Sequence, residues 1–175
     1  MSIHIGDVSV QYGGSEESVL HEISLDIEPG TVTLICGASG SGKSSVLRLI
    51  NGLIPHFHTV EGTGTVTVDE HNVAETEVHQ MGTLTATVFQ NPRTQFFTTD
   101  VDSELAFAGE NYQLTPDTIR ARSAEALEYV GISDLTGRNL WGLSGGQLQK
   151  VACAQAYAQD TPILLFDEPT SNLDP

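Results

Sequence analysis

Apolar positions along the chain follow one period up to about residue 91, another from there to about 142, and return to the first near the end. Ile3, Ile5, Val8 and Val10 form a broken alternation with polar neighbours, and Ile23, Leu25 and Ile27 alternate cleanly before the turn at Pro29-Gly30. Alternation marks strands with one buried face, and these runs predict an antiparallel edge sheet. The glycine-bounded run Gly62-Thr63-Gly64-Thr65-Val66-Thr67-Val68-Asp69 alternates again and is expected to complete it. Two continuous apolar runs read differently. Val32-Thr33-Leu34-Ile35-Cys36 is expected as a strand, and Ile163-Leu164-Leu165-Phe166 as a strand in the middle of a parallel sheet. Leu84 to Phe89 is a short β-prone run closed by Gln90-Asn91-Pro92, because Pro92 disfavours a helix before it. Between 91 and 142 the pattern turns helical. Thr99-Asp100 precedes a helix from Val101 to Glu110, Thr115-Pro116-Asp117 starts one that Gly131 closes, and Leu148 to Ala158 forms a third, further on.

Chemistry enters at the turn after the second apolar run. Gly37-Ala38-Ser39-Gly40-Ser41-Gly42-Lys43-Ser44 stands between a predicted strand and a helix carrying Val46, Leu47 and Ile50, with the spacing G-x-x-x-x-G-K-S of a phosphate-binding loop. Glycines let backbone N–H groups turn inward around a polyphosphate, and the helix adds the positive end of its dipole. Lys43 would sit on the β and γ phosphates, and Ser44 would offer its hydroxyl to magnesium. A Gly/Ser-rich turn of no function is the plain alternative, and the lysine-serine pair at fixed offset argues against it. Asp167-Glu168 ends the Ile163–Phe166 run, where carboxylates of an α/β sheet face the ligand crevice. Asp167 would anchor the magnesium shell, and Glu168 would orient and deprotonate an attacking water.

Other positions carry two readings. Ser144 and Gln147 in Leu143-Ser144-Gly145-Gly146-Gln147 fit a capping box, yet two glycines in a first helical turn are poor helix formers and suit an approaching phosphate. Gln90 can help hold a magnesium ion or a water, or be an ordinary strand-end polar residue. Tyr12 can stack on an adenine or merely pack. Asp100, Asp102 and Glu104 suit the start of a helix on dipole grounds, and can also receive an arginine from a partner.

Composition narrows the classes. Seven Lys+Arg against 23 Asp+Glu give a net charge of -16, which repels phosphate backbones and argues against nucleic acid as the main partner. At 175 residues and 39% hydrophobic content the chain is sized for one domain. No apolar run is long enough to span a membrane and no basic region precedes an apolar stretch at the N-terminus, so the chain reads as soluble and not exported. Cys36 and Cys153 read as small buried apolar residues, and His56 and His58, lacking further ligands at metal spacing, as loop residues.

Taken together, the phosphate loop, Gln90, Leu143 to Gln147, Ile163 to Glu168 and Ser171-Asn172-Leu173-Asp174 resemble the nucleotide-binding subunit of ATP-binding cassette (ABC) transporters. The resemblance implies an α/β fold: a P-loop core with a mostly parallel central sheet, an antiparallel β edge sheet and an inserted helical subdomain. It implies one domain over 1–175, incomplete at its C-terminus, with the core at 1–90 and 143–175 and the helical subdomain at 91–142. In that family two subunits pack head to tail, with ATP between one phosphate loop and the other's signature. The nucleotide-binding set implied is Tyr12, now an adenine-stacking residue, with Gly37, Ser39, Gly40, Ser41, Gly42, Lys43, Ser44 and Ser45. Ser144, Gly145, Gly146, Gln147 and Asp174 would join it across the dimer, Ser144 and Gly146 at the γ-phosphate. Glu168, Gln90 and Lys43 are the implied catalytic residues, and Ser44, Gln90 and Asp167 the implied metal ligands, for ATP with Mg2+.

Leu49 to His56, Gln90 to Phe97, Glu104 to Phe107 and Glu110-Asn111 look like the ATPases of energy-coupling-factor importers for vitamins or transition-metal ions. This implies a second ATPase subunit, like or unlike, a transmembrane coupling protein whose arginine-bearing helix enters the groove beside Gln90, and a substrate-binding membrane protein. The place of work would be the cytoplasmic face of the membrane, peripherally. Two departures stand out. Lys150 and Gln155 occupy positions where the family often has arginines, and the six histidines all lie before residue 80, so none can serve as the family's switch histidine after Asp174. Either the chain is a fragment of a longer one or it cannot run the normal cycle, and the unfinished sheet favours the fragment. A soluble cassette protein outside transport and a nonhydrolytic regulatory subunit are the rival functions.

Overall fold

The alternating residues do form a sheet. In the computed structural model, which describes residues 1–14 and 17–171, β1 (Ile3–Tyr12), β2 (Leu20–Ile27), β3 (Val60–Val68) and β4 (His71–Asn72) make a four-stranded sheet in the order β2-β1-β3-β4, and the pairings β1 with β2, β1 with β3 and β3 with β4 are antiparallel. The break in the β1 alternation has a structural cause. Both ladders of β1 shift register after Ile5 and Gly6, Asp7 takes a positive φ of 49°, and the bulge returns Val8 and Val10 to the buried face that Ile3 and Ile5 occupy. Opposite it, Gly64 has φ 90°, and a Cβ there would stand 2.5 Å from the Asp7 and Gly6 carbonyl oxygens, so only glycine fits.

Two units divide the chain, Met1–Thr85 and Ala86–Pro175. The first holds the antiparallel sheet, α1 (Lys43–Ile50), α2 (Leu53–His56) and α3 (Val78–Leu84). Its core is the buried face of β1 and β3 together with Val46, Leu49, Ile50, Ile54, Val73 and Met81.

The second unit contains α4 (Val101–Asn111), α5 (Pro116–Val130), α6 (Gly145–Ala158) and β6 (Ile163–Phe166), with β5 (Thr85–Val88) running across the boundary. Its helices start and stop as their termini dictate: the Asp100 and Thr115 side chains accept the N–H groups of Ser103 and Thr118, and Gly131 ends α5 at φ 71°. Helix α6 has two apolar faces at different spacings. Ala152 and Ala156, one turn apart and small, pack with Ala86 and Val88 of β5, whereas Leu148, Val151, Ala154 and Ala158 join Val101, Leu105 and Leu127 of α4 and α5. β5 and β6 pair, and the Asp167 N–H just past β6 donates to Val88 O at the end of β5, 2.9 Å away. Their carboxyl ends therefore lie side by side, so the strands run parallel.

Of the two continuous apolar runs, the first departs from expectation and the second forms its strand. Val32–Cys36 forms no strand; Val32 is fully exposed and Leu34 is 83% exposed. β6 forms, but among the described residues it pairs only with β5, and Leu164 and Phe166 on it are 41% and 43% exposed. Side-chain propensity does not create a strand without a neighbouring ladder. Cys36 is consequently exposed and Cys153 half-buried, so neither is the buried apolar residue expected. Burial pushes the Cys153 thiol up from its ordinary pKa.

Candidate functional site

The phosphate loop closes on itself before α1 begins. Ser41 N–H donates to Ala38 O at 3.2 Å, and Lys43 Nζ reaches back to the carbonyl oxygens of Gly37 and Ala38 at 3.0 and 2.9 Å, which sets the ammonium at the inner rim of the loop. Two glycines are required by space. A Cβ on Gly37 would stand 2.6 Å from Ser41 Oγ, and one on Gly42, at φ 90°, would stand 2.7 Å from Leu20 Cδ2 and 2.9 Å from Val19 O. Gly42 also caps α1 without a side-chain acceptor, so the first-turn N–H groups of that helix face outward uncapped by any side chain of their own cap residue. A tight glycine cradle, an ammonium at its rim and an uncapped helix start suit a polyphosphate. Ser44 is half-buried in the first turn, while Ser39 and Gly40 are exposed.

Tyr12 sits at the end of β1 and is tied to the same helix. Its hydroxyl lies 3.0 Å from Ser45 Oγ and accepts from Arg48 Nη1 at 3.4 Å, and its ring meets His58 edge-on with centroids 5.8 Å apart. His58 is thus a ring partner of Tyr12, and His56 bonds to Val73 O at 2.9 Å; among the described residues no cluster of His, Cys, Asp or Glu could hold a metal ion.

In the second unit the parallel ends of β5 and β6 bring together residues 78 positions apart. Gln90 Nε2 donates to Glu168 Oε2 at 2.7 Å. Glu168 is exposed, with φ 48°, and its carbonyl accepts the Ser171 N–H at 3.1 Å; Asp167 beside it is half-buried. The Glu168 carboxylate is thus exposed and oriented by the Gln90 amide. The signature lies at the start of α6. Both halves of its capping box are formed, Gln147 N–H to Ser144 Oγ at 3.3 Å and Ser144 N–H to Gln147 Oε1 at 3.0 Å, while Ser144 and Gly145 are exposed and Gly146 half-buried. Asp174 lies outside the described residues.

The three acids of α4 separate. Asp100 is the helix cap, Asp102 accepts the Gly137 N–H at 2.9 Å, and Glu104 is wholly buried, so Glu104 cannot receive an arginine from a partner as expected. Sequence reading missed its role and that of Gln95 and Gln155, all buried. The available signal was register: Gln155 stands four residues after Val151, inside the apolar stripe of α6.

A phosphate cradle opening a helix and an acidic pair ending a parallel strand define a P-loop nucleotide-binding protein. The model of the family described as ABC transporter matches residues 20–171, and the chain belongs to that family as an ABC transporter ATP-binding domain. It is 45% identical over 172 residues to a protein of Treponema denticola provisionally named an ABC transporter ATP-binding protein, an alignment covering 98% of this chain and 35% of that protein. A similarly named protein of Pyrococcus horikoshii is 42% identical, over 99% of this chain and 61% of its own length. The chain thus spans about a third to three-fifths of these curated relatives. Among solved structures, cbiO1 of Clostridium perfringens, described as part of the ABC transporter complex cbiONQ, superposes with a TM-score of 0.83 at 29% identity, over 98% of this chain and 67% of that one. A bacterial Atm1-family ABC exporter with ATP bound superposes with a TM-score of 0.78 at 26% identity, over 99% of this chain and 30% of that one. Among the described residues, no helix is long and apolar enough to cross a membrane.

Proposed function

We propose that this chain binds and hydrolyses MgATP as the nucleotide-binding core of an importer subunit of the energy-coupling-factor class. The observation that carries hydrolysis is the Gln90–Glu168 contact, 2.7 Å long, at the end of β6. In this reading Glu168 takes the proton of the attacking water, and Gln90 orients the carboxylate through its amide nitrogen. Lys43 and the loop from Gly37 to Ser45 hold the phosphates, and Tyr12, braced by Ser45 and Arg48, offers its ring to the base. The hydroxyl of Ser44, the carboxylate of Asp167 and the amide oxygen of Gln90 are hard oxygen donors of the kind magnesium takes. Bound magnesium would neutralise charge developing on the phosphates.

The importer class rests on the fold likeness to cbiO1 over 98% of the chain and on the Gln90 to Phe97 segment. Residues 91–142 would form the helical subdomain that meets a transmembrane coupling protein. With Glu104 buried, the surface offered there is the exposed Phe97 ring, stacked on Phe107 with centroids 4.8 Å apart, rather than an acidic triad. A second copy or a sister subunit would bring Ser144 to Gln147 and Asp174 to the nucleotide, at the cytoplasmic face of the membrane. In the full polypeptide with its membrane partners, Glu168→Gln should leave ATP affinity intact and lower turnover by roughly 10²–10⁴, the scale of general acid-base catalysis. Normal turnover in that variant would move the base elsewhere, and an absence of turnover in the unmodified protein despite tight binding would favour a regulatory subunit.

A further inference from the structure

Glu104 anchors a row of buried polar groups that ends beside Gln90. Its Oε2 accepts the backbone N–H groups of Phe97 and Thr98 at 3.0 and 2.9 Å and the Thr98 hydroxyl at 2.8 Å, and its Oε1 accepts from Gln155 Nε2 at 2.8 Å. Gln155, 7% exposed, turns its own oxygen to Gln95 Nε2 at 2.8 Å, and Gln95, 9% exposed, turns its oxygen to the Phe89 N–H at 3.0 Å. All these bonds point one way, from the Phe89 N–H to the carboxylate. An amide has one donor end and one acceptor end, so the orientation of both glutamines is fixed by a backbone donor at one end of the row and an acceptor at the other.

We infer that Glu104, acting through Gln155 and Gln95, is a positioning residue for Gln90. One carboxylate holds the loop after β5 at both ends, directly at Phe97-Thr98 and by relay at Phe89. Phe89 immediately precedes Gln90, whose amide meets Glu168, so the polarity of the relay fixes where that amide begins. Gln155 lies on the helix that Ser144 opens, so the relay also ties this loop to the signature helix. The consequence for turnover rests on the hydrolytic role proposed for Gln90; the relay itself does not.

The relay makes a prediction that shape alone does not. In Glu104→Gln the new amide must keep its oxygen toward the three donors of Phe97 and Thr98, which sets its nitrogen against Gln155 Nε2. Flipping Gln155 moves the conflict to Gln95, and flipping Gln95 moves it to the Phe89 N–H; one buried donor always faces another. Gln155→Glu alone opposes two carboxylates. The double variant Glu104→Gln/Gln155→Glu moves the carboxylate one place along the row and satisfies every bond again, including that of Phe89.

The test compares these three variants of the full polypeptide by amide hydrogen exchange over residues 86–95, thermal unfolding, nucleotide affinity and ATP turnover. Exchange over residues 86–95 should rise roughly tenfold in Glu104→Gln, since one hydrogen bond of the row is lost wherever the facing donors settle, and return to within about threefold of the unmodified rate in the double variant. Turnover should fall and recover in parallel, with ATP affinity unchanged throughout. Unchanged exchange in Glu104→Gln, or a double variant no better than the worse single one, would overturn the relay. If a single variant does not fold, a folded double variant supports the relay and an unfolded one overturns it. Restored exchange without any matching change in turnover would overturn the link to Gln90. An unmodified protein that does not hydrolyse ATP would instead sink the functional reading and leave the exchange result to decide the relay alone.

Discussion

The two units each carry candidate functional residues, and they hold them with different materials. In the first, the phosphate loop is made of eight consecutive residues, and its geometry depends on backbone: glycines where a Cβ would collide, carbonyls that fold Lys43 back, and a helix start without a side-chain cap. In the second, Gln90 and Glu168 come from the ends of two strands, and the groups that hold their surroundings come from α4, α6 and the loop between β5 and α4. A contiguous backbone site survives as a local pattern of residue types. A site assembled across a sheet depends on every element that fixes the register of that sheet.

The sharpest way to break this contrast is Lys43→Ala. If phosphate binding resides in the first unit, removing the ammonium should abolish ATP binding detectable by calorimetry or fluorescence, while the Gln90–Glu168 contact stays intact in a unit that does not contain Lys43. Undiminished affinity would mean that the loop is not where the nucleotide is held. Gly42→Ala is a milder cut at the same unit. Alanine at φ 90° must adopt a left-handed conformation, at a cost of about 1–2 kcal/mol, and its methyl also presses on Val19 O and Leu20. Urea unfolding should show a loss of about 2 kcal/mol or more, together with weaker ATP binding as the loop shifts. A variant of unchanged stability would show that the close contacts relax without cost.

Much of this was legible in the sequence. Alternation placed β1, β2 and β3, Thr115-Pro116 and Gly131 bounded α5, and the broken alternation of β1 registered a real bulge. What failed was the reading of one continuous apolar run, Val32–Cys36, as a strand. Val32–Cys36 and Ile163–Phe166 have similar composition, yet only the second is a strand, because only it has a partner to hydrogen-bond among the described residues. Period and propensity report what a segment can bury; they do not report what comes to cover it. The same limit explains Glu104. Its place at the start of α4 fits a dipole reading, and nothing local announces that Gln155, 51 positions later, donates to it in the interior. Polar residues among the buried positions of α6, Gln155 with them, hinted that the core there is hydrogen-bonded.

Ser144 is where the two kinds of reading meet, and its expected effect is the smallest. The formed capping box gives its hydroxyl a structural duty, while the proposed dimer gives it a phosphate contact in trans. Two substitutions separate these duties. Ser144→Ala removes the cap and should cost about 1 kcal/mol of stability, whereas Ser144→Gly costs only roughly a few tenths because glycine is tolerated at a helix N-cap. Both delete the hydroxyl equally. If it touches a phosphate, ATP-driven association of two subunits, followed by light scattering or analytical ultracentrifugation, should weaken to the same extent in both variants despite their different melting temperatures. If capping is its whole role, association should instead track stability, with Ser144→Ala impaired and Ser144→Gly close to unmodified. The second outcome would leave the adjoining glycines as the part of the signature open to a phosphate, a contact made through backbone N–H groups, as the phosphate loop of the first unit would make it.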